Sequence, residues 1–102
     1  MIKVSYQFEN DHYTYLAVSG HAESGQYGKD LICAAVSAIM YGLLNGLDQY
    51  EVDSTVSETA NKIEIKNNTG LEVVDNYLNL VLVQLKTIEE SYDMFIKVER
   101  KK

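Results

Sequence analysis

The chain has one cysteine and two histidines among its 102 residues. A single thiol excludes an intramolecular disulfide, and no group of Cys and His has the spacing of a structural zinc site, so no metal is expected. Cations are also scarce: nine Lys and Arg stand against fifteen Asp and Glu, a formal net charge of -6. Nonspecific binding to nucleic acid comes largely from cations that neutralise phosphates. The balance therefore argues against a direct RNA or DNA interface and favours basic peptides as partners. The one dense basic cluster, Arg100-Lys101-Lys102, reads as a solvated end. No apolar run approaches the roughly 20 residues that cross a bilayer, and the amino terminus alternates, IKVSYQFE, where a secretory leader would be basic and then apolar. A soluble, cytoplasmic chain without a membrane association is expected.

What is present is enough apolar material, 46% of the residues, for one core and hardly for two, with no linker, repeat or low-complexity tract. A single domain over residues 1–102 is expected. Ile2, Val4, Tyr6 and Phe8 alternate with Lys3, Ser5 and Gln7, the period of a strand with one buried face. The turn-forming ENDH (9–12) and the β-rich YTYLAVSG (13–20) predict a hairpin partner ending near Gly20, with His12 exposed in the turn. His21 to Lys29, with two glycines and few large apolar residues, reads as a loop. Asp30 then caps a helix whose apolar positions, Ile32, Val36, Ile39, Met40, Leu43 and Leu47, recur at helical spacing. Residues 50–57 and 61–66 predict a second hairpin. Thr69, three residues before Glu72, has capping-box spacing for a second helix along Leu71, Val74, Leu78, Leu82 and Leu85. Val73, Tyr77, Leu80 and Val81 lie off that stripe, as further core or as a dimer contact. The alternation of Tyr92, Met94, Ile96 and Val98 predicts a last strand. The order is ββαββαβ, and two amphipathic helices on one face of a five-stranded sheet make an α+β fold.

The chemistry-bearing residues lie in SGHAESGQYGKDLICAAVSAIM (19–40). A helix amino terminus favours a thiolate, and Cys33 falls near one, beside Ala34, Ser37 and Tyr41 and off the main apolar stripe. Cysteines in helices are nevertheless most often small packing residues, and composition alone favours that reading. His21 ends a predicted strand that lies beside the helix, twelve positions before Cys33, which makes the pair a candidate base and nucleophile. Asp30 could cap the helix or orient His21. Ser37 could line a peptide channel or allow close packing. Gly20 and Gly28 suit special backbone angles at the loop ends, and no P-loop spacing is present.

SGHA, followed at fixed distance by GKDLICAAVS, resembles the paired Gly-His-Ala and Gly-x-Asp-x-Val-Cys-Ala-Ala-Val-Ser blocks of the bacterial Prp family of ribosomal-processing cysteine proteases. Ile32 stands where the family often has valine. The resemblance implies a homodimeric cysteine endopeptidase that removes the amino-terminal extension of large ribosomal subunit protein twenty-seven. It implies His21 and Cys33 as the catalytic pair and no cofactor. It further implies cleavage after an aromatic residue and a loop, here Ala22 to Lys29, that orders around bound peptide. Gly20, Ala22, Gly28, Asp30, Ala34 and Ser37 are the supporting or substrate-binding positions. The first amides of the helix, including that of Cys33, are expected to stabilise the oxyanion. Two other readings are a noncatalytic ribosome-associated module that binds peptide or RNA, and a redox-sensing thiol.

Overall fold

The computed structural model of the protein describes residues 1–20, 27–57 and 59–102, with the backbone alone at 27–30. β1 (Ile2–Glu9) and β2 (His12–Ser19) form an antiparallel hairpin. Asn10 and Asp11 turn it with φ of 53° and 65°, the type I′ geometry that matches strand twist and that Asn and Asp tolerate. β4 (Lys62–Lys66) pairs antiparallel with the other side of β2, and β3 (Asp53–Ser57) adds antiparallel to β4. β5 (Ile96–Arg100) lies parallel to β1. The sheet order is β3-β4-β2-β1-β5, with β2 at the centre.

Because strand side chains alternate, Ile2, Val4, Leu16, Val18, Ile65 and Ile96 all bury on one face. α1 (Tyr27–Leu47) and α2 (Glu72–Tyr92) cover that face, placing Ile32, Val36, Met40, Val74, Leu78 and Leu85 in the same apolar cluster. This is the α+β arrangement expected from the periodicities. Asn67 is the buried polar residue among those described. Its amide donates to the Tyr13 carbonyl at 2.8 Å and its oxygen accepts from the Thr69 hydroxyl at 2.7 Å, tying β2 to the approach of α2.

Three expectations need correction. Thr69 does not cap α2: the helix starts at Glu72 with Leu71 at the cap position and no side-chain cap bond. Gly70, at φ +66°, turns the chain in between, and the Thr69 hydroxyl serves the Asn67 turn. The last strand begins at Ile96, because α2 continues through Tyr92 and the Phe95 amide closes a turn on the Tyr92 carbonyl. Met94 is 77% exposed, so its place in the alternation was coincidental. His12 is the first residue of β2, and its Nδ1 lies 2.6 Å from Asp75 Oδ2, whose other oxygen accepts the Tyr13 amide. That link pins the hairpin to the first turn of α2.

On the opposite sheet face the Tyr15 hydroxyl donates to Glu64 Oε2 at 2.6 Å. That hydrogen bond, with burial and the carboxylate charge behind it, pushes the Tyr15 pKa up to about 12. The same bond, opposed by desolvation, holds Glu64 below its usual value. A raised tyrosine pKa stabilises the fold fully below the unfolded value of about 10, and the contribution disappears as pH rises through about 12. Glu64→Gln is expected to bring one phenol's titration back toward its ordinary value, read by ultraviolet phenolate absorbance.

The core assignment makes a paired prediction. Leu78→Ala, at a fully buried site, is expected to cost about 2–5 kcal/mol in urea unfolding. Met94→Ala is expected to stay within about 0.5 kcal/mol of the parent; a large loss there would restore the longer strand.

Candidate active site

Strand register brings three strand ends to one place. Ser19, the last residue of β2, lies opposite Lys62, and so does Ser57, the last residue of β3. Gly20 leaves the sheet with φ +90°, and a Cβ there would run into the Met1 carbonyl oxygen. Only glycine meets both conditions without strain. The Gly20 amide donates to the Asn61 carbonyl at 3.2 Å, and the Asn61 side-chain amide donates to the Gly20 carbonyl. His21 follows directly in the chain and, with Ala22, lies outside the described residues.

α1 supplies the facing wall. Its stripe of Ile32, Val36 and Met40 is buried, while Cys33, one position off the stripe, is half-buried at the margin of the core. Ser37 and Tyr41 follow at four-residue steps, so the three side chains run in line along one side of the helix. With Ser19, Gly20 and Asn61 they line a cleft of about 300 Å³ whose deeper lining includes Val18, Val36, Met40 and Ile63. The arrangement offers a thiol and several hydroxyls around an apolar hollow. Those groups suit the recognition of a peptide segment with one apolar side chain inserted.

The helix start differs from expectation. α1 begins at Tyr27, so Gly28 and Lys29 are helical and Asp30 is the fourth residue, not the cap. Asp is favoured both at the cap and throughout the first turn, so its presence locates a helix start only to within a turn. A helical glycine costs only about 1 kcal/mol, which the long apolar stripe of α1 outweighs. Cys33 is consequently the seventh helical residue, and an amide so placed bonds to the carbonyl four residues earlier. Contrary to expectation, its own amide is taken up within the helix and does not serve an oxyanion. The amides left over by the helix belong to residues 27–30.

Of the supporting positions, Gly20 and Ser37 line the cleft, and Ala34 is exposed outside it. Asn61, Lys62 and Ser57 were missed. They come from the second hairpin, and only the pairing of β4 with β2 carries them to Gly20. Among the described residues, no group of three or more His, Cys, Asp or Glu is arranged to hold a metal ion, and no helix is long and apolar enough to cross a membrane.

Gly20→Ala is expected to destabilise the fold by about 1–3 kcal/mol, from the strained backbone and the overlap with Met1. A thermal or urea transition unchanged from the parent would show that the strand end is not so constrained.

Comparison with known proteins places this geometry. The family model described as cysteine protease Prp matches residues 1–97. The ribosomal processing cysteine protease Prp of Staphylococcus aureus is 33% identical over 92 residues, covering 86% of this chain and 87% of that protein. The crystal structure of the essential ribosomal processing protease Prp from S. aureus with a substrate peptide superposes with a TM-score of 0.89 at 28% identity. It covers 99% of this chain and 100% of that one. The complex of the same protease with a covalently linked product peptide gives a TM-score of 0.88 at 29% identity, covering 99% and 100%.

Proposed function

The chain belongs to the Prp family of cysteine proteases and is a cysteine peptidase of ribosomal processing; from that premise we propose that it removes the amino-terminal extension of large ribosomal subunit protein twenty-seven with a His21/Cys33 dyad. The observation that carries the reading is the position of Cys33, half-buried on the wall of a cleft whose other side is Gly20, the residue before His21. A thiol at the rim of an apolar hollow is accessible to a peptide carbonyl, whereas a packing cysteine would sit within the stripe.

In this mechanism His21 accepts the Cys33 thiol proton as Sγ attacks the scissile carbonyl. The tetrahedral intermediate collapses to an acyl-enzyme, and protonated His21 gives its proton to the departing amine. Water, deprotonated by His21, then attacks the acyl carbon and regenerates the thiol. The covalently linked product peptide described for the S. aureus enzyme supports such a covalent route. The hydroxyls of Ser37 and Ser57 offer hydrogen bonds to peptide carbonyls, and the Val36, Met40 and Ile63 lining suits the aromatic side chain before the cut. Ala22, next after His21 in the chain, and Gly28, in the first turn of α1, are taken as peptide-binding positions. Asp30 stands in the first turn of α1, where a carboxylate complements the helix dipole, and Ala34 follows Cys33 as a small exposed residue. No cofactor enters this chemistry.

The enzyme acts as a cytoplasmic homodimer, where ribosomes are assembled. The outward Val73, Leu80 and Val83 of α2, each exposed in the single chain, support the second copy.

Incubation with the unprocessed precursor, read by intact mass, tests the assignment. The parent enzyme is expected to shorten the precursor, and Cys33→Ala is expected to abolish the shortening while keeping the parent's circular dichroism and thermal transition. A Cys33→Ala protein that still cleaves would sink the nucleophile. Binding without a change in mass by the parent enzyme would favour a noncatalytic module.

A further inference from the structure

The contact between the second hairpin and the end of β2 has no counterpart in the chemistry above. Asn61 stands at the turn into β4 with φ +50°, forty-one residues from Gly20, and engages both backbone polar groups of that glycine. Its main-chain carbonyl takes the Gly20 amide, and its side-chain amide takes the Gly20 carbonyl. A carbonyl cannot donate, so the side-chain nitrogen, not its oxygen, must face Gly20. A turn that needs only positive φ is satisfied by glycine and makes no use of an amide reaching across to another strand. The side chain therefore does something beyond turning the hairpin.

We propose that Asn61 is a positioning residue of the peptidase: it fixes the direction in which the backbone leaves Gly20, and thereby the starting point of His21 relative to Cys33. The inference rests on the dyad reading above. The peptide plane between Gly20 and His21 contains the Gly20 carbonyl, so a hydrogen bond to that oxygen restrains rotation of the bond that carries His21. Glycine is the residue whose backbone most needs such restraint, because it has no side chain to limit φ and ψ. The positive φ and the overlap that any Cβ would make with the Met1 carbonyl make glycine obligatory at position 20, and Asn61 restores the order that glycine gives up. Asn61 touches neither the thiol proton nor the scissile bond, so its effect falls on geometry during the chemical step.

Two substitutions separate this role from turn formation. Asn61→Gly keeps positive φ and the backbone acceptor and deletes only the amide. Asn61→Asp keeps the shape but sets an acceptor against the Gly20 carbonyl. With precursor as substrate, Asn61→Gly is expected to lower kcat by about 10- to 100-fold, the scale of a misplaced catalytic group, with KM changed by less than about 3-fold and little change in thermal midpoint. Asn61→Asp is expected to lose more. Cys33 is the only thiol, so iodoacetamide labelling reports on it alone. Asn61→Gly is expected to slow labelling in the parent background and to add nothing in a His21→Ala background.

Parent-like kcat in Asn61→Gly would overturn the proposal. So would an equal slowing of labelling with and without His21, which would mark a general distortion of the cleft. A parent enzyme that leaves the precursor uncut fails at an earlier point, because it removes the peptidase reading itself and this inference with it.

Discussion

The pairing of β2 with β4 decides where the rest of the site can be. β2 is the central strand, held on one side by β1 and on the other by β4, and its inward residues Leu16 and Val18 are buried under both helices. A one-residue slip would turn those side chains to the opposite face and expose them, so the apolar core holds the register. That register sets Ser19 against Lys62 and brings Asn61 to Gly20. The same burial orients α1, because Ile32, Val36 and Met40 must face the sheet, and Cys33 then has to emerge at the margin beside the strand ends. A thiol in a cleft is thus a geometric consequence of packing a helix over a sheet whose central strand ends there.

Two sets of polar contacts hold the two ends of β2. At its start, His12 and the Tyr13 amide are tied to Asp75 on α2, and the buried Asn67 holds the Tyr13 carbonyl. At its finish, Gly20 is held by Asn61. A strand anchored at both ends cannot slide, and the first of these links also attaches it to a covering helix. Burial makes the Asn67 contacts consequential, since a polar group withdrawn from water is costly unless bonded.

Much of this was legible from periodicity. The element order, the buried stripe on α1 and the separation of Cys33 from it follow from spacings of two, three and four residues, signals that survive because one face of most elements is buried, β3 being the exception. Helix starts were less legible. Asp30 and Thr69 are both residues that cap helices, yet one lies inside the first turn and the other serves the Asn67 turn that precedes α2. The chemical preference is the same in these settings, and only tertiary packing separates them. The alternation through Tyr92 and Met94 misled for a related reason, since a short run of period two also arises by chance at a helix end. The contribution of the second hairpin was illegible in principle, because no local pattern says which strand β4 will join.

The division between cleft-lining and architectural residues explains how a chain of this size carries a candidate site without weakening its core. Cys33, Ser37 and Tyr41 lie on the flank of α1, so their side chains can vary with little change in the buried stripe. Gly20 has no such freedom: φ +90° and the nearby Met1 carbonyl exclude a side chain there. In the proposed dyad the constraint passes from the fold to the chemistry at that single residue, which follows the central strand and precedes the histidine. Flexibility at such a junction would cost rate, because a base must hold its position relative to its nucleophile, while strain there would cost stability. A glycine clamped from a neighbouring hairpin avoids both.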